Sequence, residues 1–356
     1  MDDARPAHVP ASETPASTSP ASVGVVAIGR NEGDRLIRCL ASCVAQSSVV
    51  VYVDSGSTDG SVNAAKRLGA TVVELDCSIP FTMARGRNAG FARLRAIGPL
   101  PEFVQFIDGD CSLETGWLGK GLAAIAADQT VGLVAGNRNE FAPRATIYNE
   151  LAQMEWRGRP GYVSYTGGDM LVRTKAFEAV EGFNESLIAG EDPELGVRMR
   201  LAGWKLLRID EPMTRHDIAM SRFSQWWKRS VRSGFAYAEG AHMHGSGPTR
   251  HWVRETKSNW LWGACIPLAI LLVSWPTYGW SFAALSLYPM QSLRIAQRQR
   301  REWHDSWRSA LLYGASVMLG KFPSALGQAT FWFRRFRGRS ARLIEYKAPT
   351  TLTQPQ

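Results

Sequence analysis

The sequence predicts an α/β fold: a mostly parallel sheet with helices on both faces, followed by a C-terminal helical region of different character. Three observations predict it. From Val23 onward, short apolar runs rich in β-branched residues alternate with segments of helical periodicity. Two of those runs, VVVYVD and FVQFID, end on an aspartate, Asp54 and Asp108. Between Ser258 and Leu293 lie 36 residues with no charge. Alternation of strand and helix implies parallel pairing, because parallel strands need a crossover between them.

The elements follow in order. VGVVAI, bounded by Gly29, reads as a buried strand. Residues 33–46 fit a helix, with Leu36, Ile37, Leu40 and Val44 on one face. VVVYVD (49–54) is the second strand, closed by the polar turn SGSTDG. A helix over 61–68, a strand over 70–75, a helix over 83–97 and the strand FVQFID (103–108) continue the alternation. Beyond Asp110 the pattern gives a helix (117–128), the strand VGLVAG (131–136), an insert rich in Arg and aromatics (138–165), a strand near 169–173, helices near 175–181 and 192–202, and a strand LLRID. In open α/β sheets ligands bind outside the carboxyl ends of the strands, where Asp54 and Asp108 stand.

Residues 1–22, rich in Pro, Ala, Ser and Thr, have little to bury and read as a disordered N-terminus. They lack a basic segment followed by an apolar one, so no secretory signal is expected there. Residues 23–250 are expected to form the catalytic domain, 251–340 a membrane-associated helical region and 341–356 a flexible tail. As one helix, the uncharged stretch would measure roughly 54 Å, too long for a ~30 Å hydrocarbon core. Pro276 and Gly279 divide it into two halves, each short for a full span. The expectation is a tight or partly re-entrant hairpin with Trp260, Trp262, Trp275 and Trp280 as interfacial anchors; the competing reading is a buried helical pair. A third apolar stretch, Ser309–Phe333, is flanked by arginines on both sides and is expected to lie in the interface or to re-enter, not to cross once.

The net charge of +9 has one source: from Arg294 onward twelve Lys/Arg face three acids, leaving residues 1–293 neutral. Such a tail suits anionic lipid headgroups or other polyanions, and nucleic acid is not an expected partner of the rest. Five cysteines without a CxxC pair give neither a zinc site nor a disulfide framework and suit a reducing compartment.

Three constellations carry chemistry. Asp54, followed by Gly56–Gly60, can accept hydrogen bonds from a ribose hydroxyl or base NH, or can simply cap the next helix. Asp108-Gly109-Asp110 places two carboxylates at a strand end, suited to Mg²⁺ or Mn²⁺ between protein and diphosphate, with a plain turn as the alternative. Gly190-Glu191-Asp192 opens a helix, and Asp192 is either an N-terminal cap or a general base.

Taken in order and spacing, VAIGRNEGDRLIRCLAS, VDSGSTDGS, ARGRNAG, FIDGD, YTGGDMLVR and GEDPELGVRMRLAGWK resemble family 2 glycosyltransferases of the GT-A fold, over about residues 23–220. The resemblance implies a GT-A-type (Rossmann-like) sheet. It implies that Asp54 binds the donor's base, with Arg30 and Glu32 in the same pocket, and that Arg87 contacts base or phosphate. Asp110 would ligate Mn²⁺ or Mg²⁺, with Asp108 reaching the ribose or the metal through water. Gly167, Gly168 and Asp169, with Glu191, would face the donor sugar or acceptor. Asp192 would be the base of an inverting transfer. His216 is a further candidate metal or phosphate ligand, or a satisfied surface histidine.

Processive synthases of the family carry Q-x-x-R-W; here Gln225-Trp226-Trp227-Lys228-Arg229 does not match, so transfer of one sugar is expected. Trp226, Trp227, Arg229 and Arg232 remain candidates for gripping phosphate or sugar, or for docking on a bilayer. The implied enzyme is a non-processive hexosyltransferase, moving a sugar from a nucleotide-sugar donor, expected to be UDP-linked, to a lipid-linked or glycan acceptor in exopolysaccharide or glycolipid synthesis. It would sit at the inner (plasma) membrane, touching membrane lipids, with its catalytic domain cytoplasmic. The alternatives are a catalytically inactive membrane scaffold and a sugar-phosphate nucleotidyltransferase, whose G-x-G-T-R-type loop fits GRNEG poorly.

Overall fold

The structure, a computed structural model, describes residues 23–338. The expected N-terminal disorder and most of the expected flexible tail lie outside these residues.

The first half follows the predicted alternation: β1 (Val23–Gly29), α1 (Asp34–Val44), β2 (Val49–Asp54), α2 (Ser61–Arg67), β3 (Thr71–Glu74), α3 (Met83–Ile97) and β4 (Phe103–Asp108). A short β5 (Cys111–Leu113), α4 (Trp117–Ala127) and β6 (Val131–Glu140) come next. The insert contains α5 (Ile147–Glu155) and a two-residue β7 (Gly161–Tyr162). Then come β8 (Met170–Arg173), α6 (Thr174–Ala179), α7 (Glu191–Leu201) and β9 (Lys205–His216).

The strands make one sheet in the order β3-β2-β1-β4-β8-β6-β9-β5, with β7 pairing β9. β3, β2, β1 and β4 are all parallel; β8 runs antiparallel between β4 and β6, and β6 and β9 are parallel to each other. The parallel strands are buried on both faces, which explains runs such as VVVYV with no polar alternation. α1 buries Leu36, Cys39, Leu40 and Cys43, the three-and-four spacing that packs one helix stripe on a sheet. Each such leucine contributes about 2 kcal/mol by leaving water.

This topology positions the site. The chain moves outward from β1 through β2 to β3, then returns to place β4 on the other side of β1. Between β1 and β4 the crossovers diverge, opening a crevice at the strands' carboxyl ends. Ile28 pairs with Asp108 in register, so the Gly29–Glu32 turn and the Asp108–Asp110 turn face each other across it.

The C-terminal region begins with α8 (Phe223–His244) and α9 (Val253–Trp260). A π-helical turn, Leu261–Cys265, carries α9 directly into α10 (Ile266–Leu272). The rod then turns back at 273–279 through a 3₁₀ segment into α11 (Leu287–Trp303), followed by α12 (Trp307–Leu319) and α13 (Lys321–Phe336). The break falls at Pro276–Gly279, as expected for a hairpin, with Gly279 at φ 84°. No described helix is long and apolar enough to cross a membrane. Of the four expected anchors, Trp260 and Trp262 are half-buried, and Trp262 packs on Tyr288. Trp275 and Trp280 stand at the tip, 90% and 81% exposed, with Tyr278 between them at 95%.

The third apolar stretch packs one side of α13 onto α8. Gly320 divides it, and α13 lies along α8 with Ser324, Gly327, Gln328 and Phe331 buried. Small residues allow this: a Cβ on Gly327 would lie 2.0 Å from the Val231 carbonyl oxygen, and one on Gly234 would lie 2.1 Å from that of Ser324. The other side of α13 keeps Leu326, Trp332 and Phe333 exposed.

Candidate functional site

A cleft of about 750 Å³ opens at the carboxyl ends of β1 and β4. It is walled by the loop after β1, the β4–β5 turn, the strand end of β6, the segment before β8, the start of α7, the end of β9 and one face of α8. Eleven of the residues expected from sequence line it: Arg30, Glu32, Arg87, Asp108, Asp110, Gly167, Gly168, Asp169, Glu191, Asp192 and His216.

Asp54 is the exception. It is 2% exposed and lies outside the cleft lining. Its carboxylate accepts hydrogen bonds from the Tyr52 hydroxyl (2.8 Å) and the backbone N–H groups of Gly56 and Ser57 (2.9 and 2.7 Å). The capping role weighed for it therefore describes its contacts, one turn ahead of the helix that was considered. The carboxylate next along, Asp59, accepts from Gly33 N–H and from Ser61 N–H and Oγ. Arg30 is exposed, and Glu32 is paired with Arg35 at 2.8 Å.

Arg87 also differs from expectation. Its guanidinium is 1% exposed and bonds three carboxylates at once: Asp108 at 2.7 Å, Glu191 at 2.7 Å and Asp192 at 2.9 Å. A side chain so engaged ties three acids together in the wall of the cleft. Burial works against its charge, but the three carboxylates outweigh burial and raise its pKa above the ordinary arginine value. Burial acts on Asp108 too, yet Arg87, Arg138 and His216 pull its carboxyl down to about 2. Asp192 goes the other way. Burial, with the Glu191 and Asp108 charges, pushes it up to about 8 against the pull of Arg87. One arginine thus faces two carboxylates with opposed acidities.

Gly168 makes this cluster possible. A Cβ there would lie 2.4 Å from the Arg87 guanidinium, 3.1 Å from Asp108 Oδ2 and 3.2 Å from Asp192 Oδ2. Its neighbour Asp169 is 1% exposed. It accepts from the Asp108 backbone N–H (3.1 Å) and the Thr214 hydroxyl (2.7 Å), and pairs with Arg138 at 2.9 Å. Asp169 therefore positions the Asp108 turn from below.

Asp110 and His216 meet at the far end. β5 pairs with β9 so that Cys111 stands opposite His216, which leaves His216 Nε2 3.3 Å from Asp110 Oδ2. His216 is 6% exposed, edge-on to Trp156 at 4.6 Å, and its buried Nδ1 has no hydrogen-bond partner. Asp110, Cys111 and His216 bring ligand atoms within 4.8 Å of one another, as do Asp108, Cys111 and Asp169. Burial raises the pKa of the Cys111 thiol, and carboxylate and imidazole are the donors that suit Mn²⁺ or Mg²⁺. The imidazole Nε2 beside the Asp110 carboxylate, with Nδ1 3.9 Å from Glu140 Oε2 on the other side, is a nitrogen-and-oxygen donor set that fits a divalent cation such as Mn²⁺. The expected trio of Asp108, Asp110 and His216 is split, with Asp108 held by Arg87 instead.

Sequence reasoning missed Arg138, Trp156, Arg208 and Trp252, all in the lining. The Arg- and aromatic-rich composition of 138–165 was the available signal for the first two. Trp252 gave none: it is inserted against Gly190 and Gly240, joining the helical region to the loop before Asp192.

Residues 24–177 match the family model described as Glycosyl transferase family 2. The chain is 26% identical over 217 residues to glycosyltransferase AglE of Haloferax volcanii, covering 57% of this chain and 69% of that one. It is 30% identical over 172 residues to the pre-mycofactocin glycosyltransferase of Mycobacterium tuberculosis, covering 45% of this chain and 35% of that one. The chain thus spans about a third of the latter's length. Among solved structures, the mannosyltransferase PcManGT of Pyrobaculum calidifontis, determined with GDP-Man and Mn²⁺, superposes with a TM-score of 0.57 at 18% identity, covering 87% of this chain and 88% of that one. With the sheet order and the strand-end aspartates, these matches show a GT-A fold, and residues 24–177 are similar to the family 2 glycosyltransferases.

Proposed function

We propose that the enzyme transfers a single sugar, with inversion, from a nucleotide-sugar to a hydroxyl of a lipid-linked acceptor at the cytoplasmic face of the inner membrane. One observation carries the chemistry. The strand-end pair Asp108/Asp110 and the raised carboxyl of Asp192 line the same cleft, with Asp108 and Asp192 tied together through Arg87.

Asp110 and His216 would hold the divalent cation. Bound there, the cation would neutralise charge developing on the leaving diphosphate. Arg30 and Glu32, in the loop after β1, border the nucleotide end. Asp192 accepts the acceptor hydroxyl's proton as that oxygen bonds to the anomeric carbon, while the bond from this carbon to the diphosphate oxygen breaks. Its raised pKa suits a base working near neutral pH. Arg87 orients Asp192, and Asp169 fixes the Asp108 backbone.

Membrane attachment rests on the hairpin tip. Trp275, Tyr278, Trp280 and Leu272 form an exposed apolar end on a stretch without charge, and Arg294, Arg298, Arg300 and Arg301 follow on α11. Aromatic tips prefer the interface, and arginines favour anionic headgroups on the cytosolic side. The tip is too short to cross, which supports peripheral insertion from one face.

The test is a panel of nucleotide-sugars incubated with purified protein and Mn²⁺ or Mg²⁺, reading release of nucleoside diphosphate. Cation-dependent release from one donor, abolished by chelation, is the expected result. No release from any donor, with no nucleotide binding by calorimetry, would overturn the reading.

A further inference from the structure

The cleft wall formed by α8 supplies a second binding element. Arg229, Arg232, Ser233 and Ala236 line the cleft at the i, i+3, i+4, i+7 spacing of one helix face, while Phe235 faces α13. The arginines of the cleft are mostly matched by acids: Arg35 by Glu32, Arg87 by its three carboxylates, Arg138 by Asp169, Arg157 by Asp305 and Arg229 by Glu155. Arg208 and Arg232 are different. Arg208 donates to Asn137 Oδ1 and the Trp156 carbonyl. Among the described residues Arg232 makes no ion pair, and its guanidinium donates only to neutral acceptors, Met83 Sδ and the Ile188 carbonyl, each at 3.4 Å.

Its place matters as much as its charge. Met83 starts α3, which carries Arg87 one turn later. Ile188 leads into Gly190 and so to Asp192, and Ala236 of α8 sits 3.3 Å from where a Gly190 Cβ would be. Arg232 therefore bonds to the start of α3 and to the segment leading to the turn that presents Asp192, whereas His216, on β9, pairs with Asp110, which precedes β5. A nucleotide-sugar's diphosphate would find its countercharge at that pair with the cation it holds. A half-buried guanidinium on the Asp192 side remains available for a second anion. Beyond it along α8, Tyr237 packs on Trp252 at 4.9 Å, and Tyr165 approaches Trp252 at 6.3 Å, giving an aromatic wall next to the charge.

We infer that Arg232 forms an anion subsite for a phosphate group, and that this phosphate belongs to the acceptor, a phosphate or diphosphate ester whose apolar part runs toward Tyr237 and Trp252. The inference rests on the glycosyltransferase reading and adds the acceptor's chemical class. The same guanidinium chemistry would suit the donor's diphosphate, so the experiment separates the two sources.

Full-length protein is first titrated with UDP and with GDP in the presence of Mn²⁺, which reports on the donor site alone. The nucleotide-saturated protein is then titrated with phenyl phosphate, with benzyl alcohol as the uncharged comparison. Saturable binding of phenyl phosphate but not benzyl alcohol is expected. Arg232→Ala should weaken it at least tenfold, Arg232→Lys should weaken it less, and both should leave nucleotide affinity within about twofold. A tenfold loss of nucleotide affinity in Arg232→Ala would assign the residue to the donor diphosphate and overturn the inference. So would phenyl phosphate binding that is absent in the wild type or unchanged in a folded Arg232→Ala. Failure of nucleotide binding in the first titration would count against the donor reading separately.

Discussion

Arg87 Nη1 donates to Asp192 Oδ1 at 2.9 Å from within a guanidinium that is 1% exposed and also holds Glu191 and Asp108. The two residues are 105 positions apart, on α3 and α7. This bond makes Arg87 both a structural tie and a control on the base. Arg87→Met should leave the buried Glu191 and the partly buried Asp108 and Asp192 without this partner and cost about 3–5 kcal/mol of stability, the usual penalty for stripping one partner from a buried ion pair. Arg87→Lys should keep a charge but lose the fork that reaches all three acids, and fall between. Chemical denaturation of the three proteins checks this. A change below about 1 kcal/mol in Arg87→Met would show that the carboxylates are solvated or shared with another cation.

Asp192→Asn should retain nucleotide binding and lose transfer by about 10²–10⁴-fold, because the amide keeps the shape and removes the basic oxygen. The pH dependence has a definite sign. Burial raises the Asp192 pKa to about 8, so the carboxyl is protonated and inactive below that pH. The acid limb of kcat/KM should therefore rise as pH increases through about 8. A limb falling near the ordinary carboxylate range would place the working base in a solvated position.

Asp110→Ala should remove cation-dependent turnover while leaving the melting temperature near that of the wild type, since its partner His216 loses one contact only. His216→Ala should weaken the cation more than tenfold in Mn²⁺ titrations, because one imidazole ligand is lost. Ordinary Mn²⁺ affinity in both variants would move the cation site toward the Asp108–Asp169 side.

Much of this site was legible in the sequence because it is written locally. Strand runs ending on Asp, and a glycine between two aspartates, show in a short window, and α1, α3 and β4 fall close to where periodicity puts them. What was not legible depends on distant partners. Arg87 reads as a polar residue in a helix; that it faces three carboxylates follows only from the packing of α3 beside α7. Asp169 resembles a ligand-facing aspartate until its bonds to Thr214 and the Asp108 backbone are seen. α5 was hidden inside the 138–165 insert, and β5 is three residues long, too short for any periodicity. The apolar stretch at 309–333 has the composition of an interfacial segment, yet its small residues spend one face on α8.

Trp275→Ser combined with Trp280→Ser should leave stability unchanged, since both rings are exposed, and should abolish co-sedimentation with vesicles of mixed zwitterionic and anionic phospholipid. This substitution is a cleaner probe than truncation near residue 250, which would strip α13 from α8 and Trp252 from Gly190. Equal sedimentation of the variant would rule out the tip as the membrane contact.

Gly327→Leu tests whether the C-terminal helices hold the cleft in shape. The new side chain would start 2.0 Å from the Val231 carbonyl oxygen and 2.7 Å from the Phe235 nitrogen, both backbone atoms of α8 that cannot yield without moving the helix. Overpacking of this kind costs about 1–3 kcal/mol, and more where backbone must shift. Arg232 and Ala236 line the cleft from the same helix, so displacement of α8 should also lower transfer at temperatures where the variant remains folded. Leu326→Ala, one residue away on the exposed side of α13, is the matched comparison and should alter neither stability nor transfer appreciably. Loss of stability without loss of transfer in Gly327→Leu would mean that α8 keeps its cleft-facing position without support from α13.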